Sequence, residues 1–197
     1  MGRPRGKTDE QIVVAARRCF LARGISVSAA EIANELGVSH TTLFNRFGSK
    51  EGLLIAALAP PEKVAWIADL ESGPDERPIQ TQLVEHVRVI ASYFREVYVG
   101  LGLLQAAGID PTKACEQTRA DHAAPEQAFR AVVSWLQQAQ EQGRLAECDV
   151  ETVASSILGS LHGHAFITQL RGMANALPAS DEYVERFVSV LWRGIGV

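Results

Sequence analysis

An all-α fold is what this 197-residue sequence predicts, and three observations carry the prediction. Apolar residues recur every three or four positions in segment after segment, the pattern of a buried helical stripe. No stretch alternates polar and apolar residues for long enough to argue for a strand. Start signals of the form Thr/Ser-x-x-Gln/Glu and stop signals at Gly divide the pattern at helical lengths.

The first helix is expected from Thr8, where Thr8 and Gln11 form a capping box, each side chain satisfying a backbone donor at the helix start. It turns Ile12, Ala16, Cys19 and Phe20 inward and stops before Gly24. Ser28 and Glu31 repeat the box for a second helix, whose Ile32, Ala33 and Leu36 share one face. Gly37 ends it in the left-handed conformation that Gly adopts at little cost. Val38 fills the corner, and Ser39 caps a third helix that runs to about Arg46. Leu43 and Phe47 form the inner face of that helix, and His40, Thr41, Thr42 and Asn45 point outward. A short, polar, uncharged outer face suits contact with base edges in a DNA major groove. Gly48 ends the third helix, and Ser49 caps a fourth beginning Lys50-Glu51, from which Lys50 reaches a phosphate.

The fourth helix carries Leu53, Leu54, Ala57 and Leu58 and breaks at Pro60-Pro61, because Pro61 lacks a backbone donor and restrains the residue before it. A second piece through Trp66 and Leu70 continues to Ser72, and Gly73-Pro74 marks a loop. The longest helix follows, with Ile79, Leu83, Val87, Ile90, Phe94, Val97, Leu101 and Leu104 on one stripe; Gly100 and Gly102 are expected to weaken its end. A short helix is predicted near Pro111–Arg119, another from about Pro125 to Gln142, a third from Asp149 to about Leu170, and the last from Ser180 to about Arg193.

Charge divides the chain. The net charge of −4 opposes DNA binding at first sight, but residues 1–50 hold eight Lys/Arg against four Asp/Glu, and the other 147 hold eleven against nineteen. A basic head on an acidic body is the distribution expected if only the head meets phosphate. The expected organisation is a helix-turn-helix DNA-binding domain at 1–50 and a helical effector-binding and dimerisation domain at 51–197. No apolar run is long enough to span a bilayer, so no membrane partner is expected. Cys19, Cys115 and Cys148 are odd in number and far apart, which favours a reducing, cytoplasmic setting and argues against a disulfide frame or a zinc site.

Residues 28–53, SAAEIANELGVSHTTLFNRFGSKEGL, resemble the DNA-binding domain of TetR/AcrR-type transcriptional regulators. The matching positions are Ile32-Ala33, Gly37-Val38-Ser39, Thr42-Leu43-Phe44, Phe47, Ser49-Lys50-Glu51 and Leu53, with Ala16, Phe20 and Gly24 fitting before them. Phe44 stands where the family usually has Tyr, and Thr41 where a small residue is common. The resemblance covers about the first quarter of the chain. It implies a ligand-responsive homodimer, usually a repressor, released from a palindromic operator by a small-molecule effector. Ser39, His40, Thr41, Thr42, Phe44, Asn45 and Lys50 are the expected DNA contacts, Thr41, His40 and Asn45 to bases and Ser39, Thr42 and Lys50 to phosphates. The alternative is a helical ligand-binding protein whose head no longer reads an operator. Arg3, Pro4, Arg5, Gly6 and Lys7 form a basic arm suited to phosphate or minor-groove contact.

In the body, Trp66, His86, Tyr93, Tyr98, His122 and Trp135 are polar-aromatic groups that together suit the lining of an effector cavity. On the helix after Asp149, Ser156, Gly159, Ser160, Gly163 and Ile167 make a face of small residues beside an apolar one. Gly costs about 1 kcal/mol in a helix interior relative to Ala, so two on one face point to close helix packing. With Val184, Phe187 and Leu191 of the last helix, these residues predict a two-fold dimer through a four-helix bundle. His162 and His164 sit two apart on a helix and face different ways, so they do not share a metal ion. Nucleophile, base and orienting acid do not occur at motif spacing, so neither an enzyme nor a cofactor is expected.

Overall fold

The computed structural model describes residues 7–61, 64–117, 123–170 and 180–194. Among the described residues there are ten α-helices and no strand: α1 (Asp9–Arg23), α2 (Ala29–Leu36), α3 (His40–Phe47), α4 (Lys50–Leu58), α5 (Ala65–Glu71), α6 (Ile79–Ala106), α7 (Pro111–Gln117), α8 (Ala123–Glu141), α9 (Val150–Leu170) and α10 (Ser180–Arg193). Both capping boxes form: Thr8 with Gln11 at α1 and Ser28 with Glu31 at α2. Gly37 adopts the left-handed conformation at φ 65° and ends α2. The break at Pro60-Pro61 is present, with Ala59 extended after α4.

The described chain falls into two compact units. The first, the head, holds the chain up to Pro61 and takes it up again from Val99, so it comprises α1–α4, the end of α6, and α7. Its core joins Ile12, Phe20, Ile32, Leu43, Leu53 and Leu58 with Leu104 and Ala114 from far along the sequence. The first unit thus runs past residue 50 as far as Pro61 before the chain leaves it. The reason is burial: Leu53, Leu54, Ile55, Ala57 and Leu58 of α4 all lie in the core that α1–α3 share.

Long-range polar contacts fix the head. Arg17 of α1 donates to the carbonyls of Ala57 and Ala59, each at 3.2 Å, covering acceptors that the end of α4 leaves open. Arg46, in the last turn of α3, pairs with Asp9 at 2.9 Å and donates to the Lys7 carbonyl, so α3 is tied to the start of α1. Two glycines mark close approaches. A Cβ on Gly52 would lie 2.0 Å from the Phe47 carbonyl oxygen, and one on Gly100 would lie 2.5 Å from that of Leu58. Gly100 and Gly102 do not end α6, which runs through both to Ala106. Gly100 instead gives the α4 backbone room to approach.

The second unit, the body, holds residues 64–98 and the described chain from 123 onward. Trp66, Leu70, Leu83, Val87, Ile90, Val132, Trp135, Leu136, Ile157, Leu161, Val184 and Val188 form its core. Gln82 is buried there; its amide donates to the Asp75 and Arg77 carbonyls and accepts from the Asp75 N–H, closing the loop that leads into α6. Asp149 caps α9 by accepting from the N–H groups of Glu151 and Thr152.

Candidate nucleic-acid interface

Helix α3 is built to be held at its ends and left bare along one side. Ser39 caps it, accepting from the Thr42 N–H at 3.0 Å, and the two hydroxyls bond each other at 2.7 Å. Leu43 is the buried residue of the helix. Ser39, His40, Thr41, Phe44 and Asn45 are exposed, and Thr42 is half-buried. His40 and Phe44, four residues apart, bring their ring centroids to 4.5 Å. The expected DNA-contacting residues of α3 therefore share one uncharged surface, with Phe44 packed on His40.

Lys50 lies at the start of α4, half-buried, and its ammonium donates to the Ile25 carbonyl at 2.7 Å. That bond spans to the turn between α1 and α2, a role the sequence does not reveal. An ammonium has three donors, so a phosphate contact stays open to it. Lys50→Ala is expected to remove the turn contact, costing about 1 kcal/mol. If Lys50 also meets a phosphate, the log–log salt slope of DNA affinity becomes shallower by about 0.9. Melting curves and a salt titration read the two effects separately, and a lowered melting point with an unchanged slope assigns Lys50 to the turn alone. Arg3, Pro4, Arg5 and Gly6 of the basic arm lie outside the described residues, and Lys7 is exposed.

The expected effector residues that are described make ring contacts in the body. Trp66 meets Tyr93 edge-on at 6.0 Å, and Trp135 meets His86 edge-on at 5.1 Å. Tyr93 continues to Phe94 at 5.5 Å, and Tyr98 joins through His162: its hydroxyl and the His162 Nε2 are 2.8 Å apart, and its ring lies 5.6 Å from Phe166. His162 also meets Phe94 at 5.3 Å, so it packs on α6, while His164 stacks on Tyr183 at 3.8 Å. His122 lies outside the described residues. Trp66 and Trp135 are 5% and 1% exposed, and their indole N–H groups have no hydrogen-bond acceptor among the described residues. A buried donor left so costs about 1–3 kcal/mol. Burial holds the His86 imidazole below its ordinary value, so it is neutral at pH 7. A groove of about 370 Å³ lies along α6 and α10, lined by Gln80, Thr81, Val84, Glu85, Arg88 and Glu185, none of them in the expected set. Its Arg88 is already paired with Asp181 and Glu185.

On α9, Ser156, Gly159 and Ile167 are exposed and Ser160 and Gly163 half-buried. A Cβ at Gly159 or Gly163 would meet nothing within 4 Å. Leu170 continues that face at 69% exposure, and Val190 of α10 is 57% exposed. Phe187 and Leu191 are half-buried against the body core. Val184 is a correction: it is 0% exposed within the subunit, so it belongs to the subunit's own core and not to a face that a second copy reaches. The apolar stripe of α10 is wide enough that its inner edge is taken up by the body.

Residues 12–57 match the family model of bacterial regulatory proteins of the tetR family, and residues 115–193 match that of the C-terminal domain of AefR-like transcriptional repressors. The chain belongs to the TetR family of bacterial regulatory proteins, a family of regulators and not of enzymes. The HTH-type transcriptional repressor BdcR of Escherichia coli (strain K12) is 33% identical over 96 residues, 48% of this chain and 49% of that one. The chain thus spans about half the length of this curated relative. A TetR transcriptional regulator from Streptomyces coelicolor has the same fold at 21% identity, over 95% of this chain and 98% of that one, with a TM-score of 0.63. The TetR-family regulator PfmR from Thermus thermophilus shares it at 23% identity, over 95% of this chain and 100% of that one, with a TM-score of 0.54. Among the described residues no helix is long and apolar enough to cross a membrane.

Proposed function

We propose that this protein is a ligand-responsive, sequence-specific DNA-binding regulator, a repressor that leaves a palindromic operator when a small molecule enters its body. The observation that carries the reading is α3: capped at Ser39, buried through Leu43, and bare across His40, Thr41 and Asn45. Membership of a family of regulators supports it. Each head inserts α3 into a major groove, and two heads of a homodimer read successive grooves about 34–36 Å apart along one DNA face. Thr41, His40 and Asn45 meet bases; Ser39, Thr42 and Lys50 meet phosphates, with Phe44 packing beside them.

The dimer forms through the outer face of α9, Ser156, Gly159, Ser160, Gly163 and Ile167, with the outer edge of α10 at Phe187 and Leu191. Leu170 and Val190 join that surface. Effector binding shifts the spacing of the two heads only by its difference in affinity for the two spacings. A coupling of about 1–3 kcal/mol changes operator affinity roughly 5–150-fold.

The test is a duplex selected from a random pool by the full-length protein. Thr41→Ala or Asn45→Ala is expected to relax the preference at one position of each half-site by about 1–3 kcal/mol, read by competition among duplexes that differ at that position. Equal loss on every duplex reassigns the residue to phosphate. Failure to select any sequence leaves the ligand-binding reading, with a head that no longer reads an operator.

A further inference from the structure

The body holds two buried donors that no group among its described residues satisfies. Trp66 on α5 and Trp135 on α8 belong to one core, and both indole Nε1 atoms lack an acceptor. An indole nitrogen is a donor only, so what completes it must bring a lone pair. Buried donors are paired in the great majority of cases, and a specific orphan calls for its missing partner. The rings beside them, Tyr93 against Trp66 and His86 against Trp135, stand seven residues apart on α6 and so share one face of that helix. Trp66 sits in the first turn of a seven-residue helix whose start has no side-chain cap.

Charge narrows what fits. The groups that act on His86 are Asp69, Glu85 and Asp75 against Arg77. Arg77 is already bonded to Asp75 and Glu85. A carboxylate ligand would enter a region of net negative charge beside a neutral imidazole. An ammonium would bring donors to donors.

We propose that the effector is an uncharged, largely apolar molecule bearing a carbonyl oxygen, a ketone, ester or amide, which accepts a hydrogen bond from the indole N–H of Trp66 or Trp135. This rests on the effector reading of the body given above and adds the ligand's chemical class to it. The two donors select for oxygen, and the apolar core around them selects against charge.

The experiment follows the indole N–H resonances of the full-length protein, labelled with nitrogen-15, with Trp192, which is 40% exposed, as an internal reference. The probes are acetophenone, ethylbenzene, which has the same skeleton without the oxygen, and benzoate, which carries a charge. Acetophenone is expected to move the Trp66 or Trp135 signal saturably and to leave Trp192 in place. Ethylbenzene and benzoate are expected to bind at least about tenfold more weakly. Trp66→Phe and Trp135→Phe keep an aromatic ring and delete the donor; one of them is expected to weaken acetophenone binding about three- to tenfold. The wild-type signals carry the test even if a variant folds poorly. Silence of both indoles toward acetophenone overturns the proposal, as does equal movement by ethylbenzene or benzoate. Acetophenone binding that leaves operator affinity unchanged removes the coupling and supports the ligand class. Operator release by a charged compound with both indoles silent removes the ligand class and leaves the regulator.

Discussion

Gly163→Leu is expected to turn the proposed dimer into a monomer. Gly163 lies on the outer face of α9, where a Cβ meets nothing of its own subunit within 4 Å. The substitution therefore does not disturb the subunit's fold, and Leu even favours the helix by about 1 kcal/mol over Gly. Across the two-fold axis of the proposed dimer the same side chain enters a close helix contact twice. Overpacking costs about 1–3 kcal/mol per site, so two copies raise the dimer dissociation constant by roughly thirtyfold to ten-thousandfold. Sedimentation velocity reads this directly, with circular dichroism as the check that the helices persist. Operator affinity falls with the dimer, because a single head holds only one half-site. A sedimentation profile identical to wild type would falsify the α9 interface.

Gly52→Ala has the second large effect, and its sign decides between two terms. In an open helix, Ala is more favourable than Gly by about 1 kcal/mol. At Gly52 the added Cβ lies 2.0 Å from the Phe47 carbonyl oxygen, a backbone atom that cannot turn aside as a flexible side chain does. The clash outweighs the propensity, so stability is expected to fall by about 1–3 kcal/mol, which lowers the melting temperature by several degrees. Relief comes from moving the end of α3 against the start of α4, so DNA affinity falls about tenfold or more on every sequence. Thermal melting and gel retardation together test this. An unchanged melting point with unchanged retardation shows that the α3–α4 corner has slack.

The head was largely legible in the sequence because its signals are local. Thr8 with Gln11, Ser28 with Glu31, and the glycines at 37 and 48 each act within four residues, and they place α1, α2 and α3 closely. Gly52 and Gly100 were not legible as close approaches. A glycine in a helical segment reads as a weak point until the neighbouring backbone is in view. Arg17 and Arg46 escaped for the same reason: their partners lie about 40 residues away in the chain. Val184 shows a different limit. Helical periodicity identifies a wide apolar stripe on α10, but not which edge of it the body consumes. The aromatic set of the body was assembled by residue type alone; the contacts that run from Trp66 through Tyr93, Phe94 and His162 to Tyr98 depend on how α5, α6 and α9 pack, which residue type does not report.

One detail of α3 sets how its proposed discrimination responds to ions. The hydroxyls of Ser39 and Thr42 bond each other, which leaves one O–H between them for a phosphate oxygen, and Arg46, the one Lys or Arg among residues 40–47, is paired with Asp9. The exposed side of the helix thus adds little counterion release of its own. Raising ionic strength loosens the grip on duplexes of every composition by a similar factor, and the ranking among them survives.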